Sequence, residues 1–215
     1  MSNWGRSVAL CIALLVGGGV AVAEDAQQAK AETEHPVVAL ETTLGTMKIE
    51  LYPEQAPKTV ENFLEYVASG FYNGTVFHRV VPSFVIQGGG YTEEMARKET
   101  RPPIRNEAAR GLPNEQYTIS MARTSDPHSA TSQFFISLVD NRASLDPQPN
   151  DPRRKWGYCA FGRVVEGQAV VDKIGGVQTT VRAGMQDVPA TPVVIESAYV
   201  VGGESAGADE GVQEK

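Results

Sequence analysis

The sequence predicts a mainly β fold, a closed eight-stranded antiparallel β-barrel capped by two α-helices. Eight short runs rich in β-branched and aromatic residues stand between turn residues. Only two segments repeat their apolar residues at helical spacing. All of these lie within residues 37–201, where no internal repeat or compositional break marks a second domain. Many strands with few helices favour closure, because a barrel leaves no unpaired edge.

Residues 37–42 and 46–51 flank Thr43-Leu44-Gly45 and read as a hairpin, with Met47, Ile49 and Leu51 on one face of the second strand. A helix is expected over 57–70, since Val60, Phe63, Leu64 and Val67 fall at i, i+3, i+4 and i+7. Pro57 suits its first turn and Gly70 its stop. Strands follow at 76–80, 84–87, 117–121, 134–139 and 158–164. A shorter helix near 167–174 precedes the last strand, 193–200. The bulky alternating residues point to a filled interior rather than a hollow transport barrel.

The ends read differently. Arg6, the uncharged stretch 7–23 and Ala21-Val22-Ala23 form a secretory signal peptide pattern over residues 1–23. That stretch is shorter than the ~20 apolar residues of a membrane span, so cleavage and no stable membrane insertion afterwards are expected. Residues 24–36 read as a flexible linker and 202–215 as a disordered acidic tail. Periplasmic location follows as an expectation. Removing the signal takes the formal net charge from -7 to -8 and leaves Cys159 as the single cysteine, in an apolar run that suits a buried small hydrophobe.

An acidic chain lacks the clustered basic surface that nucleic acid requires. Its densest basic cluster, Arg153-Arg154-Lys155, reads as a solvated loop. His35, His78 and His128 lack the close spacing of a metal site, so neither metal nor cofactor is expected. Gly88-Gly89-Gly90 is not a phosphate loop, because it lacks the G-x-G-x-x-G spacing and a parallel βαβ setting.

The most informative stretch is Phe77-His78-Arg79 with Pro82-Ser83-Phe84 and Gln87-Gly88-Gly89. Strict alternation would place Phe84 and Gln87 on opposite faces of a strand, so a twist or bulge is needed if both face one pocket. Two further blocks are Met121-Ala122-Arg123-Thr124 with Ser132-Gln133-Phe134-Phe135-Ile136, and Phe161-Gly162-Arg163-Val164. In this order the three blocks resemble the cyclophilins, over about residues 37–200, and are most similar to the bacterial periplasmic branch.

That resemblance implies peptidyl-prolyl cis-trans isomerisation in proline-containing segments of exported proteins that are folding, by a chain expected to be a monomer. Arg79 would be the catalytic cation and Gln87 a partner for the substrate backbone. Phe84, Val85, Phe135 and Leu145 would wall the proline pocket, with Ala122, Arg123 and Gln133 along the adjoining groove. His78 and Tyr158 match rim positions. The chemistry suits these residue types, because rotation about X-Pro breaks no covalent bond and localises the lone pair on the proline nitrogen. A guanidinium, always charged, can donate to it there. The alternative is a non-catalytic proline-peptide-binding chaperone module, which has no need of that donor.

The chain departs from the family pattern twice. Ser144 stands where relatives carry Trp or Phe before Leu-Asp, and the loop at 147–155 is long. A more open pocket is expected there, unless Trp156 folds back to fill it.

Overall fold

The computed structural model describes residues 35–202; the signal peptide pattern, most of the linker and nearly all of the acidic tail lie outside them. Eight antiparallel strands close into a barrel. They are β1 (Val37–Thr42), β2 (Gly45–Leu51), β3 (Thr75–Val81), β4 (Val85–Thr92), β5 (Thr118–Met121), β6 (Phe134–Ser137), β7 (Ala160–Glu166) and β10 (Val194–Val200). Around the barrel the order is β1-β10-β3-β4-β6-β5-β7-β2, and β2 pairs with β1 to close it.

The expected hairpin of β1 and β2 pairs from Val37↔Glu50 to Thr42↔Gly45. Helix α1 (Pro57–Ala68) has proline in its first turn but no side-chain cap of its own. The carboxylate of Glu107 takes that place, accepting from the Thr59 N–H at 2.9 Å and the Lys58 N–H at 3.3 Å. Its C-terminus closes with Gly70 N donating to Val67 O and Phe71 N to Tyr66 O, the paired bonds of a Schellman stop.

The apolar face of α1 completes the core. Phe63 meets Phe134 edge-on at 5.8 Å between centroids and Phe161 at 5.2 Å. Leu40, Met47, Ile49, Leu51, Ile86 and Ile119 are fully buried beside them, so side chains fill the barrel. Strand β4 runs straight through the glycine run. At Gly89, φ is 78°, and an added Cβ would lie 2.8 Å from the Tyr72 ring and 2.9 Å from the Phe134 ring, so only glycine lets the strand pass.

The structure adds elements that periodicity does not reveal. Helix α2 is a single turn (Arg142–Leu145), and α3 (Gln168–Gly175) is the expected second helix, giving three helices in place of two. Strands β8 (Thr179–Arg182) and β9 (Met185–Pro189) form a separate ribbon turned at Ala183-Gly184, both at positive φ, as in a two-residue hairpin loop. Val188 and Met185 pack it against Val76 of β3 and Met95. The strand pattern of β8 is almost wholly exposed, which is why it carries no amphipathic signal.

Candidate active site

Arg79 and Gln87 face each other across β3 and β4. Arg79 Nη1 donates to Gln87 Oε1 at 3.4 Å, and Gln87 Nε2 donates to Gln133 Oε1 at 3.0 Å. The guanidinium is thus tethered through an amide relay rather than free to sweep solvent. A register shift between Phe77 and Arg79 places a bulge at His78.

Phe84 does not need the bulge that strict alternation demanded of it. It belongs to the turn before β4, where Ser83 sits at φ 58° and Phe84 N donates to Val81 O at 3.1 Å. Its carbonyl accepts from Leu138 N and from Asn141 Nδ2, each at 2.9 Å. Val85 and Gln87 share a face of β4, and Phe84 joins them from the turn.

Val85, Phe135 and Leu145 form a small buried apolar cluster separate from the barrel core, with Phe84, Ala122 and Tyr158 packed against it. Leu145 is delivered by α2, and its carbonyl accepts from Tyr158 N at 2.8 Å. The Tyr158 ring stands edge-on to Phe135 at 5.6 Å and lies under the Arg123 guanidinium at 4.4 Å. Above this cluster opens a cavity of ≈ 200 Å³ lined by Arg79, Phe84, Val85, Gln87, Ala122, Arg123, Phe135, Leu145 and Tyr158. That is below the roughly 300–1,000 Å³ of pockets for drug-sized ligands and suits a single ring.

Two of the eleven expected site residues stand outside this lining. Gln133 lies behind Gln87 as the end of the amide relay. His78 is 4% exposed, its ring 4.7 Å from that of Tyr91, so it is not the rim residue that the resemblance implied. Its backbone bulge turns the side chain inward. Burial, with the nearby Arg79 charge adding to it, lowers its pKa to about 4 and keeps the imidazole neutral.

One residue near the site has no counterpart in the sequence reading. Asp187 of β9 brings Oδ2 to 4.0 Å from Arg79 Nε, while Gln87 accepts from Nη1. Asp187 sits at φ 60°, a conformation that short polar residues tolerate best. The run Gln186-Asp187-Val188-Pro189 is the only local signal that could have drawn attention to it.

Trp156 does not fill the space beside Ser144. It meets His128 edge-on at 5.0 Å, remains 42% exposed and lines neither the cavity nor the hollow next to it. Cys159 is buried, and burial pushes its thiol up to about 11, so it is no nucleophile. Among the described residues there is no group of His, Cys, Asp and Glu able to hold a metal, and no helix long and apolar enough to cross a membrane.

The family model described as cyclophilin type peptidyl-prolyl cis-trans isomerase matches residues 37–200. The chain belongs to the cyclophilin family. Over 165 residues it is 58% identical to a peptidyl-prolyl cis-trans isomerase of Streptomyces antibioticus, covering 77% of this chain and 98% of the relative. It is 50% identical to peptidyl-prolyl cis-trans isomerase B of Escherichia coli, covering 76% and 99%. A solved cyclophilin of Hirschia baltica superposes with a TM-score of 0.61 at 26% identity, over 81% of this chain and 80% of that one. A Cryptosporidium parvum cyclophilin crystallised in the presence of the dipeptide Ala-Pro gives 0.60 at 25% identity, over 76% and 98%. This cyclophilin is accordingly an enzyme, and peptidyl-prolyl cis-trans isomerisation is its activity.

Proposed function

We propose that the ≈ 200 Å³ cavity receives the proline ring and that Arg79 donates to the proline nitrogen as the X-Pro bond twists. The observation that carries this is the placement of one tethered guanidinium on the rim of an apolar socket made by Phe84, Val85, Phe135 and Leu145. Ground-state nitrogen, conjugated with its carbonyl, accepts a hydrogen bond poorly; the twisted nitrogen accepts well. Stabilisation confined to that moment raises the rate.

Bringing a rotation of tens of seconds to milliseconds takes about 10⁴-fold, or roughly 5.5 kcal/mol. A charged hydrogen bond in a partly desolvated site supplies roughly 3 kcal/mol of this. Holding the ring between Phe84, Phe135 and Leu145 while Gln87 engages the flanking backbone accounts for the remainder. Asp187 acts as a positioning residue, approaching Nε of the Arg79 fork while Gln87 holds Nη1. Ala122, Arg123 and Tyr158 border the path of the peptide as it leaves the cavity.

The substrate class is proline-containing segments of exported proteins, and the chain works as a monomer of the periplasmic branch of the family. Arg6, the uncharged stretch and Ala21-Val22-Ala23 support a signal peptide ending at residue 23, ahead of a linker to 36, an isomerase domain over 37–201 and an acidic tail. Amino-terminal sequencing of the protein recovered from a periplasmic fraction tests export, with Glu24 expected first and Met1 the result against it. A protease-coupled assay on a short X-Pro peptide tests catalysis: equal rates for the wild type and Arg79→Ala would exclude the guanidinium from the reaction.

A further inference from the structure

Beside the proline cavity lies a wider hollow of ≈ 720 Å³, and the two share Phe84, Arg123, Leu145 and Tyr158 as a common wall. Its far side comes from Ser144 and from Pro152, Arg153 and Arg154 of the long loop. A bulky residue at 144 would intrude on this space; serine leaves it open.

The loop has a defined course. Gln148 N donates to Arg154 O at 2.8 Å, Asp151 N to Gln148 O at 2.9 Å and Arg154 N to Asp151 O at 3.0 Å. Arg154 Nη1 and Gln148 Nε2 both donate to Ala143 O, at 2.7 and 2.9 Å, tying the loop to α2. Where it rejoins the barrel, Gly157 holds φ 54° and an added Cβ would stand 2.4 Å from Pro147 N, so the two ends of the loop cross in contact.

Charge sets this hollow apart. Among the described residues three guanidinium groups line it and no carboxylate does, in a chain whose formal net charge is -7. Asp126, Asp146 and Asp151, the nearest acids along the chain, already accept from His128 N, from Asn114 and from Arg154 Nε, each at 2.8 or 2.9 Å. Arg123 directs its donors at the carbonyl oxygens of Gly157 and Thr124, and its charge has no anionic partner among the described residues. Arg153 has a side chain 93% exposed, with its nearest carboxylate oxygen, on Asp151, at 4.0 Å.

We infer that this hollow is a second subsite of the enzyme, receiving an acidic side chain that lies within a few residues of the substrate proline. The inference rests on the reading of the adjoining cavity as the proline site. An extended peptide advances about 3.3 Å per residue, so a side chain one to three positions from the ring reaches across the shared wall. There a carboxylate meets the fork of Arg153 and the field of Arg123, while Asp151, the nearest like charge, is already engaged by Arg154 Nε and Arg153 N. The basic cluster at 153–155 is solvated as expected, and its first two members also line the hollow.

The test compares proline peptides carrying Glu or Gln at each of the two positions before and three positions after the proline, with the full chain as enzyme. At one position, Glu should raise kcat/KM over Gln about three- to fivefold at low salt, the size of one exposed charge pair. At about 1 M salt, where the Debye length falls to ~3 Å, that advantage should vanish. Arg153→Gln should at least halve the ratio and Arg153→Glu should bring it below one; both sit at an exposed position that folding does not depend on. Equal turnover of Glu and Gln peptides at every position would overturn the subsite, as would a Glu preference that survives both variants. Should no peptide be turned over, the isomerase reading fails instead, and the ratio of Kd values for the same peptide pairs, measured by calorimetry, decides the subsite on its own.

Discussion

Arg79, Val85, Gln87 and Phe135 stand on strands of the closed barrel, whereas Arg123 and Tyr158 stand on irregular backbone and Leu145 on the single turn α2. In the first group Val85, Gln87 and Phe135 have strand partners on both sides, since β4 pairs with β3 and β6 and β6 with β4 and β5, and Arg79 is paired to Gln87 across one side of β3. The second is fixed by single side-chain and backbone contacts: Asn141 to Phe84 O, Tyr158 N to Leu145 O, and Asn114 to Asp146 and Tyr158 O. A proton donor that must meet a twisted nitrogen tolerates little misplacement, so it belongs on the ladder. Recognition of neighbouring side chains can vary, and loops accept such variation at little cost to the barrel.

Substitutions can break this contrast at either end. Phe63→Ala removes a ring from the centre of the barrel, where it touches Tyr72, Phe134 and Phe161. It should destabilise the domain by about 3–5 kcal/mol in chemical denaturation and loosen both halves of the site together. Arg79→Ala should leave the midpoint of denaturation nearly unchanged, because the side chain is 39% exposed. Its kcat/KM on an X-Pro peptide should nonetheless fall about 10²–10³-fold.

Acid sharpens the picture of the barrel half. His78 is buried neutral, with a pKa lowered from 6.5 to about 4, so the folded state binds its proton less readily than the unfolded chain does. The stability this reflects is fully present above the unfolded value near 6.5 and is lost as pH falls towards 4, by at most roughly 3 kcal/mol. Denaturation followed from pH 7.5 to pH 4 should show this slope (both values bracket the ~6.5 of free imidazole). His78→Phe, which keeps a ring against Tyr91, should flatten it; an unchanged slope would mean that other groups dominate.

Smaller effects are expected from the contacts that join the halves. Asn141→Ala leaves Phe84 O with one donor fewer and should cost about 1–2 kcal/mol in stability, raising KM more than it lowers kcat as the turn relaxes. Asp187→Asn should reduce kcat about two- to fivefold with KM little changed, in keeping with one exposed ion pair acting through Arg79. Asp187→Glu should recover part of the loss. A variant indistinguishable from wild type in kcat would remove Asp187 from the positioning of Arg79.

Much of this was legible before any coordinates. Met47, Ile49 and Leu51 alternate inward as their spacing requires, and α1 starts at Pro57 and stops before Gly70. Both outcomes depend on neighbours in sequence: alternation follows from the pleat, and helix ends follow from capping and backbone preference. Nine of the eleven expected site residues line one cavity, since three separated motifs could be matched without knowing how they meet. The β8–β9 ribbon escaped notice because β8 faces water on both sides, and α2 because one turn holds too few residues to show a period.

By itself, then, the sequence determined which segments form the eight barrel strands, where the long helix begins and ends, and which residue types are available for work at an imide nitrogen. Tertiary structure decided that His78 turns inward, that Phe84 reaches the cavity from a turn, that Asp187 comes to Arg79 from a ribbon at the other end of the chain, and that Ser144 opens a cationic hollow. The reason is one of range. Side-chain alternation and helix capping are settled within a few residues, whereas the direction of a buried ring and the meeting of distant charges depend on closure of the barrel and on what remains unfilled around it.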